Sequence, residues 1–202
     1  RTYDETSGFE APSSARYVDW FKAVAANVAA HLTKDGSWFV NIKAASGGLD
    51  TELHVLELVL THAQHWGWHF ATEFCWERPG LPQQAHRRFK NAFEPVFQFT
   101  LGEWKFRPEE VRVRSTSAFA YDPDESKSAS GNQGRDLSWS AERKGGGWAF
   151  PSNRLPTFAG SHLATGHAAA FPVGLPAWFA RAYTDPGDVI YDPFMGSGST
   201  LL

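Results

Sequence analysis

Two glycines near the end of the chain are spaced so that a ligand could lie against bare main chain. Residues 192–200 read Asp-Pro-Phe-Met-Gly-Ser-Gly-Ser-Thr, directly after the apolar residues Val189 and Ile190. Glycine has no Cβ atom to keep a ligand away from the backbone, and it tolerates positive φ. Ser199 or Thr200 can cap a helix whose free N–H groups favour an anionic or carboxylate-bearing ligand. The pattern therefore predicts a strand buried on both faces, a glycine turn and a ligand-binding helix.

The composition indicates a single globular domain. The 202 residues are 42% hydrophobic and 20% charged, which supplies enough apolar material for a full core. No apolar run approaches the ~20 residues that span a bilayer, and the single cysteine excludes intrachain disulfides. We therefore expect a cytoplasmic protein that does not enter a membrane. The formal net charge of -3 does not by itself indicate a nucleic-acid partner.

Strand and helix patterns alternate along the chain, which favours an α/β sheet covered by helices on both faces. A first helix is predicted from an apolar stripe, which comprises Tyr17, Phe21, Val24, Val28 and Leu32. A strand follows at 37–42, and Asp50 or Thr51 can cap a second helix that ends at Gly67. Four apolar residues are predicted on one face of that second helix: Leu53, Leu56, Leu60 and Ala63.

The rest of the chain contains two more predicted strands, an insert and a helix. The strands are predicted at 68–76 and 93–100, and Pro95 suggests a sheet edge or a bulge for the latter. Residues 101–153 are rich in Ser, Gly and charged residues, and we interpret them as a variable insert. Helical periodicity returns at 175–183, just before the predicted glycine-motif strand.

Basic residues lie in two groups that could contact phosphates. The two groups are Arg87, Arg88 and Lys90, and then Lys105, Arg107, Arg112 and Arg114. A local basic cleft of this kind is compatible with DNA binding in a mildly acidic protein. A solvated charged face is an equally good interpretation.

The glycine motif resembles the S-adenosylmethionine motif of the amino-methylating DNA methyltransferases. Four other segments resemble blocks of that family, and they lie at 17–42, 76–80, 87–99 and 166–176. Their order is similar to that of the permuted β class, in which the catalytic part comes first and the cofactor motif last. Ala169 departs mildly from the family's His-Pro-Ala-Pro-Phe-Pro segment. This resemblance covers nearly the whole chain.

The resemblance implies a fold, a division of the chain and a set of site residues. The fold is a Rossmann-like α/β methyltransferase fold, with a three-layer sheet, a permuted order and a variable insert. Residues 1–100 form the catalytic side, 101–153 the insert and candidate target-recognition region, and 154–202 the cofactor segment. The expected cofactor-binding residues are Phe171, Pro172, Asp192, Phe194, Gly196, Gly198 and Ser199. The expected DNA-binding residues are Arg87, Arg88, Asn91, Arg107, Arg112 and Arg114.

The implied activity is methyl transfer from S-adenosylmethionine to the exocyclic amine of a flipped base in double-stranded DNA. The segments at 17–21 and 148–153 resemble those of the cytosine-N4 enzymes more than those of the adenine-N6 enzymes, so the resemblance implies cytosine-N4 methylation first. No Ser/Asp-Pro-Pro-Tyr tetrapeptide occurs in the chain, so no catalytic residue is assigned. By family order this motif is expected upstream of Arg1 and a ribose-binding acid after Leu202, and the chain alone is expected to be inactive.

Two alternative functions, and a possible partner protein, stay open at this point. The chain could be a catalytically inactive DNA-binding module on the same fold, or an adenine-N6 enzyme. The resemblance suggests a restriction-modification setting and leaves open a companion restriction endonuclease. No metal is required for this chemistry, and His62 and His65 have no evident third ligand at metal-binding spacing.

Overall fold

The computed structural model describes part of the chain, and this part includes the glycine turn. The described residues are 12–44, 46–47, 50–78, 89, 92–114, 148–155, 158, 172–196, 198 and 200. The α-helices are α1 (Ser14–His31), α2 (His54–His65) and α3 (Gly174–Tyr183), and a 3-10 helix spans Pro108–Val111. The strands are β1 (Ser37–Asn41), β2 (Ser46–Gly47), β3 (Asp50–Thr51), β4 (His69–Glu77), β5 (Phe93–Thr100), β6 (Val113–Arg114), β7 (Trp148–Ala149) and β8 (Arg154–Leu155).

A four-stranded sheet in the order β1-β5-β4-β8 is the centre of the described structure. β5 is antiparallel to both β1 and β4, whereas β8 runs parallel to β4. Two antiparallel ribbons accompany the sheet, β2 with β3 and β6 with β7. The β6–β7 ribbon pairs Arg114 with Trp148 and Val113 with Ala149.

Hydrophobic cores lie on both faces of the sheet, which confirms the predicted three-layer arrangement. On one face α1 and α2 pack against β1 and β5, and this core includes Phe21, Val28, Leu58, Trp38 and Phe99. On the other face α3 packs against β4, β5 and β8, and this core includes Phe74, Trp76, Val96, Leu155 and Phe179. Within the described ranges, no helix has both the length and the apolar character needed to cross a membrane.

The predicted position of α2 is confirmed, but the apolar face named from the sequence is not the face that meets the core. The residues that face the core are Val55, Leu58 and His62. The predicted stripe is exposed instead, and its leucines are Leu53, Leu56 and Leu60. The predicted cap is also wrong, because Asp50 and Thr51 form β3 and Leu53 precedes the helix without a side-chain cap.

Pro95 does not mark a sheet edge or a bulge, since β5 lies between β1 and β4. The pairing of β1 with β5 ends at Asn41–Val96, so Pro95 is the first residue of β5 that has no partner in β1. The Pro95 carbonyl, on the β1 side, accepts a hydrogen bond from Asn41 Nδ2 at 3.0 Å. At this position β1 has already ended, so the absence of an N–H on Pro95 removes no hydrogen bond between β1 and β5. The register irregularity of this sheet falls in β4, between Phe70 and Thr72.

The strand predicted at Val189–Tyr191 is absent from the described structure. Residues 188–192 have no strand assignment, and the Val189 side chain is 92% exposed rather than buried. An extended segment becomes a strand only when a neighbour supplies main-chain hydrogen-bond partners. Among the described residues, β1 pairs only with β5, so no strand reaches this segment.

His62 is the centre of an aromatic cluster beneath α2. Its side chain is fully buried, and Nδ1 donates to the Leu58 carbonyl at 2.7 Å. The imidazole stacks on Phe99 with ring centroids 4.4 Å apart and meets Trp66 edge-on at 4.6 Å. Nε2 is buried and has no hydrogen-bond partner among the described residues. Burial therefore favours the neutral form of His62, which packs in the core like the aromatic side chains around it.

We expect the free energy of unfolding to fall as the pH drops below about 6.5, and His62→Gln to remove part of that fall. Burial lowers the pKa of His62 in the folded protein. The unfolded chain then takes up a proton first, so stability is lost as the pH passes from the unfolded pKa towards the folded pKa. Urea titrations at neutral and mildly acidic pH measure the effect. His65→Gln, at an exposed position of the same helix, is the control. Identical acid responses in all three proteins would contradict this role of His62.

Candidate cofactor site

The glycine turn has the backbone conformation that its sequence predicts. Gly196 has φ of 54° and Gly198 has φ of 85°, both in the region that favours glycine. Gly198 N donates to the Met195 carbonyl at 2.9 Å, which closes the turn. Among the described residues, a Cβ atom at Gly196 would meet only the Phe194 carbonyl, at 3.7 Å. The main chain at Gly196 is therefore open to a ligand.

Asp192 holds this turn with both of its carboxylate oxygens. Oδ1 accepts a hydrogen bond from the Phe194 N–H at 2.8 Å. Oδ2 accepts one from the Thr200 hydroxyl at 2.6 Å, across the whole turn. The first contact is an Asx turn, which favours this local shape over an extended chain. The predicted binding residue Asp192 thus shapes the turn from within.

Aromatic side chains of α1 lie beside the turn, and the sequence did not predict their contact with it. The Phe194 ring lies 6.1 Å from Trp20 and 6.2 Å from Phe21. Trp20 in turn lies 5.6 Å from Tyr17. Phe194 remains 54% exposed, so one side of its ring is available. The aromatic block at 17–21 is visible in the sequence. Its contact with the turn could not be predicted, because Phe194 is distant from it along the chain.

Of the other predicted cofactor residues, the structure describes only Pro172. Pro172 is buried at the start of α3, where its carbonyl accepts a hydrogen bond from Leu175 N at 3.0 Å. Phe171 and Ser199 lie outside the described residues. The described part of the predicted set therefore consists of Asp192, Phe194, Gly196 and Gly198 in the turn, with Pro172 at α3.

The predicted DNA contacts are described only in part. Arg87, Arg88 and Asn91 lie outside the described residues, as does the side chain of Arg114 in β6. Arg107 pairs with the Asp185 carboxylate. The Arg112 guanidinium lies 5.6 Å from the centre of the Phe150 ring, in cation–π geometry. Buried Arg112 Nε has no hydrogen-bond partner among the described residues.

A cavity of about 310 Å³ lies on the α3 side of the sheet, apart from the α1 side that contacts the turn. It is lined mainly by aromatic and proline side chains, which include Phe74, Phe106, Phe150, Trp178 and Tyr183. Burial raises the pKa of Tyr183 to about 12, so its hydroxyl stays protonated. The 3-10 helix at its rim carries the exposed Glu109 and Glu110, which disfavour an anionic ligand. The glycine turn is the better candidate site.

The fold is that of a Rossmann-like methyltransferase. The chain superposes on the PvuII DNA methyltransferase (cytosine-N4-specific) with a TM-score of 0.67 and 24% identity, over 93% of this chain and 61% of that one. It also superposes on M1.HpyAVI, solved as a complex with SAM, with a TM-score of 0.53 and 15% identity, over 90% and 66% of the two chains.

Sequence comparison then gives the family. Residues 3–202 match the N6/N4 methyltransferase family, described as DNA methylase, and the chain belongs to it. The Type II methyltransferase M.PvuII of Proteus hauseri is 28% identical over 214 residues, which are 92% of this chain and 62% of that protein. M.Cfr9I of Citrobacter freundii is 29% identical over 134 residues, 66% of this chain and 35% of that protein. The chain thus spans about three-fifths of M.PvuII.

Proposed function

We propose that this chain acts, within its complete gene product, as a DNA methyltransferase that uses S-adenosylmethionine and modifies cytosine at N4. The observation that carries the proposal is the glycine turn, which is held by Asp192 and lies beside exposed Phe194 in a methyltransferase fold. Similarity to M.PvuII, whose structural counterpart is cytosine-N4-specific, favours this base over adenine.

The residues of the turn fit a sulfonium nucleotide. Gly196 leaves main chain open to its carboxylate or ribose, because no Cβ atom covers it. The exposed face of Phe194, backed by Trp20, offers an apolar surface for the adenine ring or the cationic sulfur. We also assign Gly198, Ser199, Phe171 and Pro172 to this site.

The chemistry requires positioning more than acid or base catalysis. When bound, S-adenosylmethionine would supply an activated methyl group, and the chain's residues would hold it in place. The turn would hold the ligand through main-chain groups, and the aromatic residues Trp20 and Phe194 would exclude water from one side. The base is extruded from the duplex to reach the methyl group. We propose that Arg87, Arg88, Asn91, Arg107, Arg112 and Arg114 contact the DNA, mostly at phosphates.

The test is to incubate the complete gene product with methyl-labelled S-adenosylmethionine and double-stranded DNA, then digest the DNA and identify the modified nucleoside. We expect label in N4-methylcytosine. Label in N6-methyladenine would replace the base assignment while keeping the enzyme class. Salt-dependent DNA binding without any label would favour the inactive binding module. Label found only in RNA or protein would reject the substrate.

A further inference from the structure

A cluster of five charged side chains lies where the chain enters the glycine turn. Lys105 Nζ is 2.6 Å from Asp188 Oδ2, 3.3 Å from Asp185 Oδ2 and 3.6 Å from Asp35 Oδ2. Arg107 pairs with the other oxygen of Asp185. Three carboxylates from two turns of the chain therefore converge on two cations from a third segment.

Backbone hydrogen bonds hold the cationic segment, residues 101–107, in place. Lys105 N donates to the Asp35 carbonyl at 3.0 Å, and Arg107 N donates to the Ala182 carbonyl at 2.7 Å. Gly102 approaches the Lys34 carbonyl so closely that a Cβ atom would lie 2.9 Å from it. Lys105 therefore lies in a segment that is hydrogen-bonded both to the α1–β1 turn and to the end of α3.

The segment after Asp188 has few other attachments before the glycine turn. Residues 189–192 belong to no strand, and Val189 is almost fully exposed. Among the described residues, its next contacts are those of Tyr191, whose hydroxyl donates to Asn27 Oδ1 at 3.2 Å and whose ring centre lies 5.6 Å from that of His31. Asp188 Oδ2 also accepts from Asp185 N at 2.8 Å, so the carboxylate closes its own turn while it contacts Lys105. The ion cluster is therefore the first point that fixes this segment.

We propose that Lys105 is a positioning residue for the cofactor turn, acting through Asp188. This inference rests on the proposed function, because it concerns the affinity for S-adenosylmethionine. An isolated exposed ion pair contributes little, since ordering two side chains costs entropy and salt screens the attraction. Here the Lys105 ammonium contacts three carboxylates from a backbone that hydrogen bonds already hold. The entropy cost of ordering its side chain is therefore divided among three ion pairs. Without the Lys105 ammonium, cofactor binding must also order the segment that leads into the turn, and this cost weakens the affinity.

The experiment compares Lys105→Met and Lys105→Arg with the unchanged protein, all as complete gene products. We expect Lys105→Met to raise the dissociation constant for S-adenosylmethionine about three- to fivefold and to leave kcat at saturating cofactor unchanged. Lys105→Arg retains the charge and is expected to restore most of the affinity. Lys34→Met removes a charge from an exposed neighbour of Asp35, outside the cluster, and is the matched control.

Two further readouts separate positioning from a general loss of structure. High salt should weaken cofactor binding by the unchanged protein and by Lys34→Met, but add little to Lys105→Met. Amide hydrogen exchange without cofactor should be faster at 189–196 in Lys105→Met and unchanged in α1. Equal affinities and equal exchange in Lys105→Met and Lys34→Met would overturn the proposal. If the unchanged protein binds no S-adenosylmethionine, the proposed function fails, and the exchange rates alone decide whether Lys105 positions the turn.

Discussion

Replacing Asp192 with alanine is expected to weaken S-adenosylmethionine binding about tenfold to a hundredfold, the range for hydrogen bonds to a charged group. The substitution removes the acceptors of the Phe194 N–H and the Thr200 hydroxyl at the same time. Both ends of the turn are then released, and the glycine backbone between them loses its single conformation. The dissociation constant of the complete gene product, measured by calorimetry, gives the effect.

Asp192→Asn distinguishes this role from direct binding through the negative charge. Asparagine retains an acceptor for the Phe194 N–H, and its amide group can donate to the Thr200 oxygen. We therefore expect Asp192→Asn to bind within about fivefold of the unchanged protein. A loss as large as that of Asp192→Ala would show that the carboxylate charge itself contacts the ligand. Glu57→Ala, which removes an exposed carboxylate from α2, controls for net charge.

The helices and strands were predicted best where the hydrophobic pattern of the sequence fitted one arrangement alone. α1 has a single apolar stripe, so both its position and its buried residues Phe21 and Val28 could be predicted. β1 and β5 are short apolar runs between turns, and they lie where they were expected. By contrast, α2 is apolar on most sides, and periodicity alone could not decide which stripe meets α1 and β5. That choice depends on the neighbours of the helix.

The remaining errors come from contacts between distant parts of the chain. Val189 and Ile190 have the composition of a buried strand, but a strand needs a partner that local sequence does not specify. The glycine turn was predicted because its conformation depends on glycine itself. Its contact with Trp20 joins two segments far apart in the sequence, and so does the contact of Lys105 with Asp188. Such pairs become visible only once the fold brings the segments together.

Leu58→Ala is expected to lower the free energy of unfolding by about 2–5 kcal/mol, whereas Leu60→Ala is expected to change it by less than about 0.5 kcal/mol. Leu58 is 1% exposed and belongs to the core beneath α2. Its truncation therefore removes buried methyl groups and leaves a cavity. Leu60 is 55% exposed on the same helix, and alanine is the better helix former. Urea unfolding followed by circular dichroism measures both values under one condition.

This pair tests the rotation of α2, which the leucine pattern alone does not determine. The two substitutions are chemically identical and lie two residues apart, so helix propensity and unfolded-state effects cancel in the comparison. The difference that remains reports burial. If Leu60→Ala were as destabilising as Leu58→Ala, the stripe of Leu53, Leu56 and Leu60 would face a core in solution. His62 would then turn towards solvent, and its effect on acid stability would disappear as well, so the two measurements check the same orientation independently.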